Sequence, residues 1–151
     1  MAHRSQALDT LRGRLGYEIK RASIALHHAM EDAVGPHGLT VAQYACLEVL
    51  ARNPGASSSD LARDGFVTRQ AAHQVIQRLL ANDLVRKHAP GNARRQQLEL
   101  TPAGERLRRQ AASAVGDVER RLSDALPPGT DAQVALHLQT ITAALNVERE
   151  A

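Results

Sequence analysis

Residues 68–107 read TRQAAHQVIQRLLANDLVRKHAPGNARRQQLELTPAGERL, and three different periodicities follow one another within them. In the first part Ala71 or Ala72, Val75, Ile76 and Leu79 recur at steps of three and four, the spacing of one helix face. Thr68 stands where an N-cap is needed, so a helix is predicted from Thr68 to Asn82. The second part alternates. Leu84, Arg86 and His88 interleave with Val85, Lys87 and Ala89, and Gln96, Leu98 and Leu100 with Gln97 and Glu99. Two alternating runs around Pro90-Gly91-Asn92 predict a β-hairpin. The third part opens with Thr101-Pro102, a capping residue followed by proline at the first helical position, and predicts another helix.

Upstream, SSSDLARDG predicts a short helix with Ser57 as N-cap and Asp60 in its first turn, where a carboxylate meets the positive end of the helix dipole. A tight, glycine-containing connection joins it to the 68–82 helix, which makes a helix-turn-helix. The hairpin that follows directly makes it a winged one. Earlier still, GLTVAQYACLEVLARNPG predicts a helix with a capping box of Thr40 and Gln43 and an apolar staple of Leu39 on Tyr44. Leu8, Leu11, Leu15, Ile19, Ala22, Leu26, Ala29 and Ala33 predict one long amphipathic helix over 6–34. Beyond the hairpin, Leu107, Ala111, Val118 and Leu122 place a helix over 102–126, and Val134, Leu138, Ile141 and Leu145 a last one. The predicted fold class is mainly α with a small β-hairpin wing: a winged helix-turn-helix with long N- and C-terminal dimerisation helices. One domain over 1–151 is expected, with the winged lobe at 36–101 and the dimerisation region at 6–34 and 102–148. The apolar stripes at both chain ends exceed what one small domain needs, and the simplest cover for them is a second copy.

The chain has 151 residues and a net charge of +3, distributed unevenly. Residues 1–51 hold five basic and five acidic side chains, 52–109 eleven and five, and 110–151 three and six. The positive field therefore sits on the winged segment, which points to a polyanion partner, nucleic acid first. The one cysteine, Cys46, excludes an intramolecular disulfide. MAHRSQALDT has no apolar core of a signal peptide, and no run of apolar residues is long enough to span a membrane, so a cytoplasmic protein without membrane contact is expected. A glycine-rich phosphate loop, a Ser-His-Asp grouping and paired-cysteine zinc spacing are all missing, so no enzyme, cofactor or metal centre is expected.

Off its apolar face, the 68–82 helix carries Thr68, Arg69, Gln70, His73, Gln74 and Gln77, and no acidic residue occurs between 65 and 82. Arginine suits the guanine edge and glutamine the adenine edge in a major groove. Arg94 and Arg95 at the hairpin tip suit a narrow minor groove, where the potential is most negative. Asn92 tolerates the left-handed geometry of the turn and would aim them. Together these residues are the candidate contacts to double-stranded DNA.

This order of elements, with the LT..Q helix start at Leu39, the DLA of the short helix, RLLANDLVRK into the hairpin and LELTPAGERL after it, resembles the MarR family of winged-helix transcriptional regulators. With the flanking helices, the resemblance covers residues 8–148. It implies a homodimer whose recognition helices meet successive major grooves of a pseudo-palindromic operator. It also implies repression relieved by a small-molecule effector, often a phenolic or other lipophilic anion. Two positions depart from the family pattern. The usual Asp-x-Arg of the wing is Asn92-Ala93-Arg94, and a usual glycine after the recognition helix is Asp83.

His27, His37 and Tyr44 are the candidate effector-binding residues, because their polar tips could fix an anion in an apolar cleft. His27 and His28 project about 100° apart on a helix and so make no metal pair. Two other readings remain. One is a thiol-based redox-sensing regulator through Cys46, although no Lys, Arg or His lies within three residues to activate that thiol. The other is a winged-helix protein-interaction module without specific DNA binding.

Overall fold

The helix starts at Thr40, Ser57, Thr68 and Thr101 and the two wing strands fall where the sequence punctuates them. The computed structural model describes residues 11–64, 68–88 and 97–146. They form α1 (Leu15–Val34), a 3₁₀ turn at Gly35–His37, α2 (Val41–Arg52), α3 (Ser58–Asp64), α4 (Arg69–Ala81), β1 (Val85–Lys87), β2 (Leu98–Leu100), α5 (Pro102–Asp124) and α6 (Asp131–Asn146). The expected helix over 6–34 is not continuous. Gly13 takes a left-handed φ of 81°, and its amide donates to Glu18 Oε1 at 3.2 Å, so α1 starts afresh at Leu15.

The caps are as read. Thr40 and Gln43 form a reciprocal capping box on α2, with Gln43 N donating to Thr40 Oγ1 at 3.1 Å and Thr40 N to Gln43 Oε1 at 2.8 Å. Ser57 and Asp60 repeat the device on α3: Ser57 N and Oγ both donate to Asp60 Oδ2, at 2.8 and 2.6 Å. These bonds from Ser57, with Arg63 beside them, hold the Asp60 carboxyl down at about 2.

Chain contacts divide into two compact units, residues 1–115 and 116–151. In the first, Leu47 and Leu50 of α2, Leu61 of α3, Ile76 and Leu79 of α4, Val85 and Leu98 of the hairpin and Ala111 of α5 form one buried cluster. Fully burying a leucine side chain is worth roughly 1.5–3 kcal/mol, so these residues hold the three-helix lobe and the wing root together. In the second, Val118 is buried but no described residue of α6 is: Leu136, Leu138 and Leu145 are 60, 46 and 68% exposed.

The wing is more than a hairpin. Val85 pairs with Leu100, Arg86 with Glu99 and Lys87 with Leu98. The other edge of β2 also pairs with the 55–57 segment, through Gly55 N to Leu98 O at 2.9 Å, Leu98 N to Ala56 O at 3.2 Å and a bridge between Ser57 and Gln97. The wing root is thereby stitched to the segment that leads into α3.

The tightest joint lies between α4 and α5. Asp83 adopts a left-handed φ of 54°, the conformation a glycine would take there. Its carbonyl accepts from Thr101 Oγ1 at 2.6 Å, that hydroxyl oxygen in turn accepts from Gly104 N at 3.0 Å, and Thr101 N donates to Leu84 O at 3.1 Å. A Cβ on Gly104 would lie 1.9 Å from Leu84 O, inside the carbonyl oxygen.

Both positions give stability predictions. Gly104→Ala must push two backbones apart and should lower stability by roughly 2–3 kcal/mol in urea unfolding. Asp83→Gly should raise it by roughly 0.5 kcal/mol, because relief of the left-handed strain outweighs the freedom glycine gains when unfolded.

Candidate nucleic-acid interface

α4 presents the predicted polar face to solvent. Thr68 caps it, accepting from Ala71 N at 3.2 Å, while Ala72, Ile76 and Leu79 are buried. Thr68, Arg69, Gln70, His73, Gln74 and Gln77 are all exposed, as is Arg78 one position beyond, which the sequence reading did not single out. These side chains share one helix side because the buried set occupies the other. Asn92, Arg94 and Arg95, the expected wing-tip contacts, lie outside the described residues.

At the wing root the structure adds a cluster that alternation alone did not reveal. Arg86 Nε donates to Glu99 Oε1 at 2.6 Å, and His88 Nδ1 lies 3.0 Å from Glu99 Oε2. His88 and Arg86 keep the Glu99 carboxyl below the usual carboxylate range. The cross-strand register could have suggested this cluster, because it places Arg86 directly opposite Glu99.

The candidate effector residues are not joined to one another. His27 on α1 lies 3.4 Å from Glu31, one helical turn on, and its ring is 6.5 Å from that of His28. His37 ends the 3₁₀ turn before Gly38. Tyr44 is only 7% exposed, and its hydroxyl donates to Glu48 Oε1 at 2.8 Å. Burial, reinforced by the Glu48 carboxylate, pushes this phenol up to about 12. Arg108 of α5 completes the arrangement: Nη1 donates to Glu48 Oε1 at 2.8 Å, while Nε and Nη2 donate to the two oxygens of Glu105 at 2.9 Å. Arg109 adds a further bond to Glu105 at 2.6 Å. Among the described residues, no hydrogen bond or ion pair joins His27, His37 and Tyr44 to one another. Cys46 is fully buried, and burial pushes its thiol up to about 11, so it is protonated and shielded rather than primed for oxidation.

Arg108 and Arg109 hold the Glu105 carboxyl down at about 2, against an ordinary 4.5. A depressed carboxyl stabilises the fold above its unfolded value and loses that contribution as pH falls through the folded one. Glu105→Gln should therefore destabilise the protein at neutral pH. The deficit against wild type should close as pH falls from about 5 to about 2 in pH-resolved urea melts.

The geometry, an acid-free polar helix face beside a cationic two-stranded wing, matches known proteins. The sequence profile of the MarR family matches residues 37–96. The chain is 33% identical over 109 residues to the HTH-type transcriptional repressor Rv2887 of Mycobacterium tuberculosis, covering 72% of this chain and 78% of that one. The crystal structure of Rv2887 with salicylic acid superposes with a TM-score of 0.69 at 29% identity, over 85% of this chain and 96% of the other. The transcriptional repressor CouR bound to a DNA duplex gives a TM-score of 0.74 at 29% identity, over 89% of this chain and 94% of the other. The chain belongs to the MarR family of winged-helix transcriptional regulators.

Proposed function

We propose that the chain is a homodimeric, ligand-responsive repressor that reads a pseudo-palindromic operator. The observation that carries this reading is the exposed face of α4, where Arg69, Gln70, His73, Gln74 and Gln77 stand together with no acidic neighbour on the helix. A major groove accepts one helix, and bidentate arginine and glutamine contacts distinguish its base edges. The wing root sits directly after α4 in the chain, and Arg94 and Arg95 at its tip are proposed to enter the adjacent minor groove with Asn92 shaping the turn. The DNA-bound relative, CouR, supports the same use of the fold.

The dimer reading rests on apolar exposure. Leu136, Leu138 and Leu145 on α6 and Leu122 on α5 are exposed leucines in the 116–151 unit, and Leu15 and Ile24 are exposed on α1. A second copy is the partner that a two-fold operator requires. The winged lobe is assigned to 36–101 and the dimerisation region to 6–34 and 102–148. The effector is read as a small aromatic or lipophilic anion, supported by the salicylic acid complex of Rv2887. His27, His37 and Tyr44 are its candidate contacts, with Tyr44 reaching an anion only when Glu48 releases its hydroxyl. No described helix is long and apolar enough to cross a membrane, and a cytoplasmic, non-enzymatic regulator fits the family.

Two variants test the reading. Arg69→Ala or Gln70→Ala should cost about 1–3 kcal/mol on the DNA beside its own gene, and much less on random duplex, in fluorescence anisotropy. Equal losses on both would remove base readout from these residues. Leu138→Glu should halve the mass seen by light scattering, and an unchanged mass would remove α6 from the dimer interface.

A further inference from the structure

The segment VRKH, residues 85–88, carries three adjacent basic or titratable side chains at the wing root, and the structure treats them unequally. We propose that Lys87 is a phosphate-contacting residue of the DNA interface, and that Glu99 withholds its neighbours Arg86 and His88 from the same role. The inference rests on the DNA-binding reading above.

Strand alternation separates the three. Arg86 and His88 share one face of the hairpin, and the Glu99 carboxylate, opposite Arg86 in the register, holds both. The Glu99 side chain is three-quarters covered, so the Arg86 pair is less screened than an open surface pair. A guanidinium already bonded to a carboxylate adds little net charge for a phosphate to meet. Lys87 lies on the other face. Its register partner, Leu98, is buried, and the next residue on its own side, Val85, belongs to the core cluster with Ile76 and Leu79 of α4. That face is therefore the one that packs on the shared core, to which the recognition helix contributes Ile76 and Leu79. Lys87 is nevertheless exposed, because it stands where the apolar face runs out. Its stem can follow the apolar edge while the ammonium stays in water. No acidic side chain pairs with it among the described residues. Lys87 is thus an exposed cation of the wing that no described carboxylate offsets.

Counterion release supplies the readout. Each phosphate neutralised adds about 0.9 to the slope of log affinity against log salt, with no dependence on sequence. The experiment is anisotropy of the full chain on a random-sequence duplex across a salt series. Lys87→Ala should reduce the slope by about one and weaken binding roughly eightfold near 0.1 M salt, while Lys87→Arg keeps the wild-type slope. Arg86→Ala should leave the slope unchanged. Glu99→Gln should bind more tightly and steepen it by about one, because Arg86 is released. A wild-type slope in Lys87→Ala, or a loss in Arg86→Ala equal to that in Lys87→Ala, overturns the proposal while leaving DNA binding intact. A wild-type protein with no salt-dependent binding to any duplex overturns the DNA reading itself. Thermal melts of each variant confirm that the comparison is between folded proteins.

Discussion

Among the described glycines, Gly104 of α5 is the one with no room for a Cβ, because the carbonyl of Leu84 stands there. Everything at the interface depends on it. Leu84 lies three residues past the end of the recognition helix and one before the first wing strand, so a helix seated on its carbonyl fixes both at once. Thr101 locks the seat. Its hydroxyl donates to Asp83 O and accepts from Gly104 N, while its own amide holds Leu84 O. The positions of α4 and the wing are thus tied to α5 by one main-chain bond and by two bonds through the Thr101 hydroxyl, all to backbone groups. A protein that must place a helix and a wing in neighbouring grooves together needs such a tie.

One turn further along α5, Arg108 provides a second tie, to Glu48 and through it to Tyr44 of α2. This tie differs in kind. It is charge-assisted and part-buried, and it is made of side chains that could exchange one carboxylate for another. The Thr101–Gly104 seat joins α4, the wing and α5, while the Tyr44–Glu48–Arg108 chain links α2 to α5 through side chains alone.

Most of this was legible in the sequence, for identifiable reasons. The capping boxes at Thr40 and Ser57, the Thr68 and Thr101 starts and the 3.6 periodicity of α4 are local signals, and local signals survive folding. The polar face of α4 followed from the same periodicity, because exposing one side of a helix is what burying Ala72, Ile76 and Leu79 means. What the sequence hid was non-local or conformational. The pairing of β2 with the 55–57 segment joins residues some forty apart in the chain and leaves no spacing to read. The break at Gly13 looked like a glycine tolerated in a helix, because the leucine stripe continues across it. Asp83 looked like a departure from the family's glycine, yet it keeps the glycine conformation; composition changed and geometry did not. The unequal roles of Arg86 and Lys87 needed the strand register before either could be told from the other.

The measurement that bears most directly on the whole account is a hydroxyl-radical footprint of the protein on the DNA flanking its own gene. Two symmetric protected patches, with centres about one helical turn (10–10.5 bp) apart, are predicted, since two copies must set two recognition helices in successive major grooves. A single asymmetric patch, or protection that does not depend on sequence, would contradict a homodimer reading an operator through α4.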